Sequence, residues 1–159
     1  MGGTTEPPTG PIMARYVRFI ARSELTNQIF TSMSEINILN ENGQPLSRAG
    51  WSIQVDSQET VNENAPATNA VDGNASTFWH SHWLPGNNMG DPLPHCFQID
   101  LGQAQPITGF TYQGRPNGNN NGRVGNYEFY LSNNPDAFGM PRITGTFMSV
   151  ATPQQADLP

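Results

Sequence analysis

Short runs in which every second residue is apolar recur along this chain, and they restrict its fold more than any other feature of the sequence. Residues 15–21 read RYVRFIA and residues 96–102 read CFQIDLG, so a strand would place the apolar side chains of each run on one face. Similar runs lie at 35–39, 51–57, 107–113, 126–132 and 142–149. No window of a dozen residues repeats with a helical period of about 3.6.

The residues between these runs are turn formers. The chain has 16 glycines and 14 prolines in 159 residues, and a polar stretch at 117–122 reads NGNNNG. Asn and Gly tolerate positive φ, as tight turns require. Short alternating strands joined by such turns predict an antiparallel β-sandwich or barrel, of a size expected for one domain.

The charge balance excludes some partners. Only 7 Lys and Arg residues oppose 13 Asp and Glu residues, giving a formal net charge of −6. Phosphate backbones and anionic lipids need cationic surfaces, so we expect no nucleic-acid partner, and the composition disfavours a membrane partner. A surface solvated mainly by neutral polar residues favours a secreted protein with hydroxyl-rich ligands. The single cysteine, Cys96, cannot form an internal disulfide, and its strand-like surroundings predict a packed, unreactive thiol.

The first 13 residues, MGGTTEPPTGPIM, are rich in Gly, Pro and Thr. They predict a linker or a remnant of expression, with residues 14–159 forming a single domain. They do not have the pattern of a signal peptide, and we expect any export leader to have been removed.

Two groups of side chains are candidate metal ligands. The turn Asp72-Gly73-Asn74, followed by Thr77, offers the oxygen donors that calcium prefers, although the same residues also make an ordinary turn. In the second group, His80 and His82 would share a strand face, and His95 with Cys96 would complete a tetrahedral zinc set. Because that spacing is loose and no second cysteine exists, the sequence disfavours zinc.

Five sequence blocks follow one another in an order that is more specific than any single block. They are WSIQVDSQET, NAVDGNASTFWHSHW, PLPHCFQIDLG, ITGFTYQGRPNGNNNGRVGNYEFYLSN and GTF. This order resembles the discoidin (coagulation factor V/VIII C-type) domains, and most of all the family 32 carbohydrate-binding modules and the galactose-binding domain attached to galactose oxidase. The resemblance covers about residues 14–148. It implies an antiparallel β-sandwich of jelly-roll type.

One departure from the family concerns the order of strands. Residues 14–39 resemble the last strands of the family, yet here they come first. Either the domain is circularly permuted, which close termini make inexpensive, or it is cut from a tandem array. We favour a domain in which residues 14–39 fill the position of the closing strands.

The resemblance implies a structural calcium ion at the DGN turn. In the family the ion is held by backbone oxygens near the turn, the aspartate carboxylate, a threonine, and a glutamate from the closing strands. The matching positions are Asn69, Asp72, Asn74, Thr77 and Glu35. The assignment of Glu35 depends on the placement of residues 14–39. Such an ion would stiffen the loop and take no part in chemistry.

The resemblance also implies a sugar site. Relatives that bind galactose-type sugars use a glutamate, a histidine three residues before a tryptophan, and an arginine and an asparagine in the following hairpin. The matching positions are Glu63, His80, Trp83, Arg115 and Asn121. Where relatives commonly read PRQ, this chain reads GRP at 114–116, which changes the loop that carries the arginine.

These side chains suit a pyranose ring. The C–H face of a sugar stacks on an indole such as that of Trp83. Arg115 can donate to neighbouring hydroxyls through its fork, and Glu63 can accept. An axial O4, as in galactose, brings O3 and O4 within reach of one such cluster. We therefore predict that Trp83 is exposed, and that Trp79 lies in the core.

Three functions compete. The favoured one is a non-catalytic carbohydrate-binding module that tethers an attached enzyme or adhesin of a larger multidomain protein to glycan. The alternative is a discoidin-type adhesion module for protein or membrane lipid, which the scarcity of cations disfavours. An enzyme using Glu63, His80, Asp72 and Asp91 is disfavoured because no nucleophile motif, phosphate loop or catalytic metal signature is present.

Overall fold

The computed structural model describes residues 10–86, 89–116 and 118–159, and these form an antiparallel β-sandwich, as predicted. Its strands are β1 (Ile12–Ala21), β2 (Ser32–Met33), β3 (Glu35–Leu39), β4 (Ser52–Val55), β5 (Trp79–His80), β6 (Trp83–Leu84), β7 (Met89–Gly90), β8 (His95–Ile107), β9 (Gly109–Gln113), β10 (Asn126–Ser132), β11 (Ile143–Thr146) and β12 (Gln154–Asp157). A 3₁₀ helix, Ala67–Val71, precedes β5. Within the described ranges, no helix is long and apolar enough to span a bilayer.

Two sheets make the sandwich. The larger has the strand order β11-β10-β1-β8-β4, and the smaller has the order β12-β9-β3. Strand β1 lies at the centre of the larger sheet, where it pairs with β10 on one side and β8 on the other. Residues 12–39 therefore supply an interior strand and one edge of the second sheet. Whether that order arose by permutation stays a prediction.

The alternating runs become the inner faces of the strands. Val17, Phe19 and Ala21 of β1 are fully buried, while their neighbours are partly exposed. Aromatic rings fill the space between the sheets, and Phe110 stacks on Phe129 with ring centroids 4.3 Å apart. Trp79 has no exposed surface and donates its indole N–H to the carbonyl of Ser57 over 2.9 Å. The prediction that it lies in the core is confirmed.

Two sequence-based details differ from the structure. Strand β1 begins at Ile12, two residues before the predicted start of the domain. Residues 1–9 of the predicted linker and Asn117 of the polar stretch lie outside the described residues. Cys96 lies on the outer face of β8 and is half-buried, because its neighbours His95 and Phe97 point inward. Burial raises the pKa of its thiol, Asp56 raises it further, and Arg18 opposes both.

Short elements at one end of the sandwich bring distant parts of the chain together. Pairing of β2 with β5 sets Ser32 beside His80. Pairing of β6 with β7 sets Trp83 beside Gly90, where a Cβ would lie 2.2 Å from the carbonyl oxygen of His82. Only glycine allows that approach. A bridge between Glu59 and Ala65 closes a further loop at the same end.

Candidate functional site

A pocket of about 370 Å³ opens among these short elements. Its size falls in the range of small-molecule sites, roughly 300–1,000 Å³. All five residues matched to the family's sugar site line it, and the described lining residues are Phe30, Glu63, His80, Trp83, Leu84, Pro85, Gly86, Arg115, Asn119 and Asn121. Residues far apart in sequence are thus brought to one cavity.

The guanidinium of Arg115 is held by stacking, and it forms no ion pair within the described part of the chain. Its Cζ lies 4.2 Å from the ring centroid of Phe78, a cation–π contact. Its Nε is buried and has no hydrogen-bond partner among the described residues. Burial lowers the pKa of Arg115, and the nearby carboxylate of Glu63 opposes this. The side chain is therefore oriented, desolvated and left with unused donors.

A second arginine supports this loop. Arg123 is buried and donates from Nη2 to the carbonyl oxygen of Arg115 over 2.8 Å. A Cβ on Gly114 would approach Cγ of Arg123 to 3.1 Å. The sequence GRP, in place of the PRQ common in relatives, thus packs against Arg123, and Arg115 still lines the pocket.

The imidazole of His80 has a defined tautomer. Its Nδ1 lies 2.7 Å from the carbonyl oxygen of Ser81, which can only accept, so Nδ1 carries the proton. Nε2 is then an acceptor in the neutral ring. Burial lowers the pKa of His80, an effect that the Ser81 hydrogen bond and Glu63 oppose. The ring also packs on Phe30, with centroids 5.5 Å apart.

Trp83 and Glu63 form a coupled pair at the wall of the pocket. The indole N–H of Trp83 donates to Oε1 of Glu63 over 3.2 Å. Trp83 is half-buried, outside the core cluster, so part of its surface stays accessible as predicted. The hydrogen bond orients a carboxylate and an aromatic ring toward the same space.

Glu59, which the sequence analysis missed, anchors this wall. Its side chain is fully buried, and it accepts N–H groups from Val61, Asn62 and Trp83 over 2.8–3.1 Å. Burial alone would raise its pKa, but these hydrogen bonds outweigh burial and lower the pKa to about 2. His82 lies 3.1 Å from it. Glu59 therefore fixes both the Glu63 loop and the Trp83 backbone.

Two aromatic residues at the site, one stacked against Arg115 and one lining the pocket, carried little signal in the sequence. Phe78 directly precedes Trp79 and His80, so a strand placing Trp79 inward leaves Phe78 on the side of His80. That spacing could have found it. Phe30 lies in a loop without periodicity, and only the tertiary structure places it at the pocket.

The DGN turn forms a loop of internally bonded oxygens. The hydroxyl of Thr77 donates to a carboxylate oxygen of Asp72, whose other oxygen accepts the backbone N–H of Asn74 over 2.9 Å. Ser34 pins the loop by donating to the carbonyl oxygen of Ala75 over 2.6 Å. The amide of Asn69 turns away, donating to the carbonyl oxygens of residues 64 and 78.

Glu35, at the start of β3, reaches the same loop and meets an arginine there. It is 7% exposed, and its Oε2 accepts a hydrogen bond from Nη1 of Arg48. Its Oε1 is buried and has no partner among the described residues. Burial raises its pKa; Arg48 lowers it, and nearby Asp72 raises it. Two carboxylates, a hydroxyl and loop carbonyls match the oxygen chemistry of calcium, but one carboxylate already holds a cation.

The zinc set considered above is not assembled. Each histidine has its own partner, and His95 lies 2.9 Å from Asp56 through Nδ1 and 3.0 Å from the carbonyl oxygen of Ile29 through Nε2. Over the described ranges, no three His, Cys, Asp or Glu side chains group as a metal site. Of the four residues considered for an acid–base pair, Glu63 and His80 line the pocket, whereas Asp72 and Asp91 are not among its described lining residues.

Comparison with known proteins places this architecture. The profile of the F5/8 type C domain family matches residues 52–158, more than half of the chain. A sialidase from Micromonospora viridifaciens is 33% identical over 157 residues, covering 98% of this chain. That match includes the first strands, which the family profile does not reach.

Two further relatives match shorter stretches. A galactose oxidase from Gibberella zeae is 37% identical over 111 residues, 69% of this chain. A lacto-N-biosidase from Bifidobacterium bifidum is 37% identical over 98 residues, 60% of this chain. The chain spans 23% of the sialidase, 15% of the galactose oxidase and 8% of the lacto-N-biosidase.

Proposed function

This chain belongs to the F5/8 type C domain family, and we propose that it is a non-catalytic carbohydrate-binding module whose pocket holds a galactose-configured sugar. The observation that carries the proposal is the Arg115 side chain, which stacks on Phe78, makes no hydrogen bond to the described residues and lines a pocket together with Glu63, His80 and Trp83. The names of the relatives, which include galactose oxidase and lacto-N-biosidase, support a glycan ligand.

Each group has a role in this proposal. Arg115 donates to two neighbouring hydroxyls, and Glu63 and Nε2 of His80 accept from them. The accessible part of the Trp83 ring packs on the C–H face of the sugar. An axial O4 lies beside O3 within reach of one polar cluster, so the galactose configuration suits the pocket better than an equatorial O4.

The module would act as a tether. We propose that it holds an attached enzyme or adhesin on glycan outside the cell, as part of a larger multidomain protein. The pocket supports binding over catalysis because its described residues provide one carboxylate, and glycoside hydrolysis by the usual route needs two.

We also propose that the 72–77 loop binds a structural calcium ion. Asp72, Thr77 and Glu35 would hold it with backbone oxygens of Asn69 and Asn74. A bound ion supplies positive charge that stiffens the loop. The buried Oε1 of Glu35, which no described residue hydrogen-bonds, supports this proposal.

Substitution of Arg115 or Trp83 by Ala tests the sugar site. Either change should weaken binding of a methyl galactoside at least about 100-fold, or ~2.7 kcal/mol, because each removes a group that has no substitute in the pocket. Isothermal titration calorimetry measures the affinity, and thermal unfolding checks the fold. Arg142→Ala, an exposed arginine outside the pocket, is the control. If both variants bind galactoside like the wild type, the assignment of the site is wrong.

One observation favours the adhesion alternative. Leu84 and Met89, paired across β6 and β7 beside the pocket, are 47% and 53% exposed and could enter a membrane. However, Arg115 is the one cation among the described pocket residues, which is little for an anionic lipid surface. Sedimentation with phosphatidylserine vesicles separates the two functions, since a sugar-binding module should stay in the supernatant.

A further inference from the structure

Arg48 places a guanidinium at the 72–77 loop. Its Nη1 donates to Oε2 of Glu35 and lies 3.3 Å from the carbonyl oxygen of Ile36. Its Nη2 lies 3.5 Å from where a Cβ of Gly73 would stand. The positive charge therefore rests between β3 and the DGN turn, where the calcium ligands converge.

The charges around it are only partly balanced. Glu35 and Asp72 bring two carboxylates, whereas Arg48 brings one positive charge. Oε1 of Glu35 has no hydrogen-bond partner among the residues that the structure describes, although the side chain is more than nine-tenths buried. A buried carboxylate oxygen without a hydrogen-bond partner destabilises the fold. One guanidinium leaves part of the negative charge at the loop unbalanced, so a bound cation would stabilise it.

We propose that Arg48 and calcium are alternative occupants of one cation position in this loop. Arg48 supplies the charge when calcium is scarce, and calcium binds only when the guanidinium moves away from Glu35. The two cannot share the position, because like charges a few ångströms apart repel strongly in a partly buried setting. The inference rests on the calcium proposal for the identity of the ion and is independent of the sugar site.

Two consequences follow for the wild-type protein. Its loop stays ordered without calcium, since Glu35 keeps a partner. Its calcium affinity is lower than that of the same ligand set without Arg48, because calcium binding must first break the contact between Arg48 and Glu35.

The experiment compares the wild type with Arg48→Gln, using calcium alone as the probe. In chelator, the variant should unfold several degrees below the wild type, since Glu35 and Asp72 lose their counter-charge. With added calcium, the melting temperature of the variant should recover, and calorimetry should give a calcium affinity at least about tenfold tighter than that of the wild type. Arg142→Gln, an exposed arginine elsewhere, should match the wild type in both conditions.

Arg48→Lys keeps the positive charge and guards against a folding defect in the glutamine variant. Its calcium affinity should stay within about threefold of that of the wild type, because the ammonium still competes for Glu35. The proposal is overturned if calcium binds the wild type and Arg48→Gln equally, if Arg48→Lys binds calcium as tightly as Arg48→Gln, or if no variant binds calcium.

Galactoside titration of the same samples keeps this test separate from the proposed function. Arg48→Gln should bind the sugar like the wild type. Loss of galactoside binding by every protein, the wild type included, would count against the sugar site and leave the calcium comparison intact.

Discussion

One arginine and one glutamate line the pocket, another arginine and glutamate lie against the 72–77 loop, and the two regions use them in opposite ways. In the loop, the guanidinium of Arg48 already contacts the carboxylate of Glu35. In the pocket, the guanidinium of Arg115 lies over Phe78 and makes no hydrogen bond to the described residues, although Glu63 lines the same cavity. A paired arginine stabilises the fold through its carboxylate partner, whereas one held by stacking makes no such pair with the described residues.

The glutamates of the pocket wall repeat this contrast at closer range. Glu59 is fully buried and saturated by backbone N–H groups, while Glu63, four residues later, accepts from the Trp83 indole and borders the cavity. Neighbouring acids of one loop thus divide into a fully buried residue and a pocket-lining residue.

The largest effect we expect comes from Glu59→Gln. The amide would point a donor at the N–H groups that Glu59 now accepts, costing roughly 2–4 kcal/mol of unfolding free energy at neutral pH. The matched change Glu63→Gln should cost less than about 1 kcal/mol of stability and instead weaken galactoside binding. Urea unfolding of both variants measures the loss of stability, and calorimetry measures their galactoside affinity. Equal stability losses would contradict the division between the two acids.

The same pair tests the linkage to pH. Because folding lowers the pKa of Glu59 to about 2, its carboxylate contributes stability that is complete above its unfolded pKa, near 4.5, and is lost as pH falls toward 2. The stability difference between the wild type and Glu59→Gln should therefore shrink between pH 5 and about pH 2. A stability difference that stayed constant over this interval would show that the pKa of Glu59 is not lowered by folding.

A smaller effect is expected from Arg115→Lys. An ammonium keeps the charge but lacks the planar fork that stacks on Phe78, so galactoside affinity should fall about 10- to 100-fold with little change in melting temperature. Arg48→Lys provides the counterpart in the loop and should leave galactoside affinity unchanged. If Arg115→Lys binds as tightly as the wild type, charge alone explains recognition and the stacking argument fails.

The smallest effect concerns His80. Burial lowers its pKa, so protonation requires a pH below the ordinary imidazole range, and Nε2 remains an acceptor above it. Galactoside affinity should change less than about twofold between pH 8 and pH 6.5. Titrations in the His82→Gln background, which removes the imidazole beside Glu59, assign any dependence to His80. If galactoside affinity fell steeply as the pH was lowered from 8 to 6.5, His80 would be taking up a proton in that interval, and the prediction of a neutral, buried ring would be wrong.

Much of the fold could be predicted because its signals are local. In a strand, successive side chains point to opposite faces, so the alternation at 15–21 and 96–102 already separated core from surface residues. The short ladders at the pocket end were not predictable, since β2, β5, β6 and β7 have two residues each and too few positions to show a period.

The residues of the pocket also divide into those that the sequence could predict and those that it could not. The family resemblance identified Glu63, His80, Trp83, Arg115 and Asn121, and the structure places them around one cavity. It gave no indication of Glu59, because a saturated carboxylate is recognised by the N–H groups that surround it, and these come from the loop after Glu59 and from the distant strand β6.

The sequence by itself determined the sandwich, the inward faces of its strands and the set of residues available to the site, because pleat and periodicity are properties of neighbouring residues. Only the tertiary structure decided which charges are paired. Arg48 and Glu35 are linked, and Arg115 is stacked on Phe78, through contacts between loops that no spacing along the chain records. Which side chain an arginine contacts depends on its burial and on the distance between loops in the folded protein, and both are set only when the two sheets have packed together.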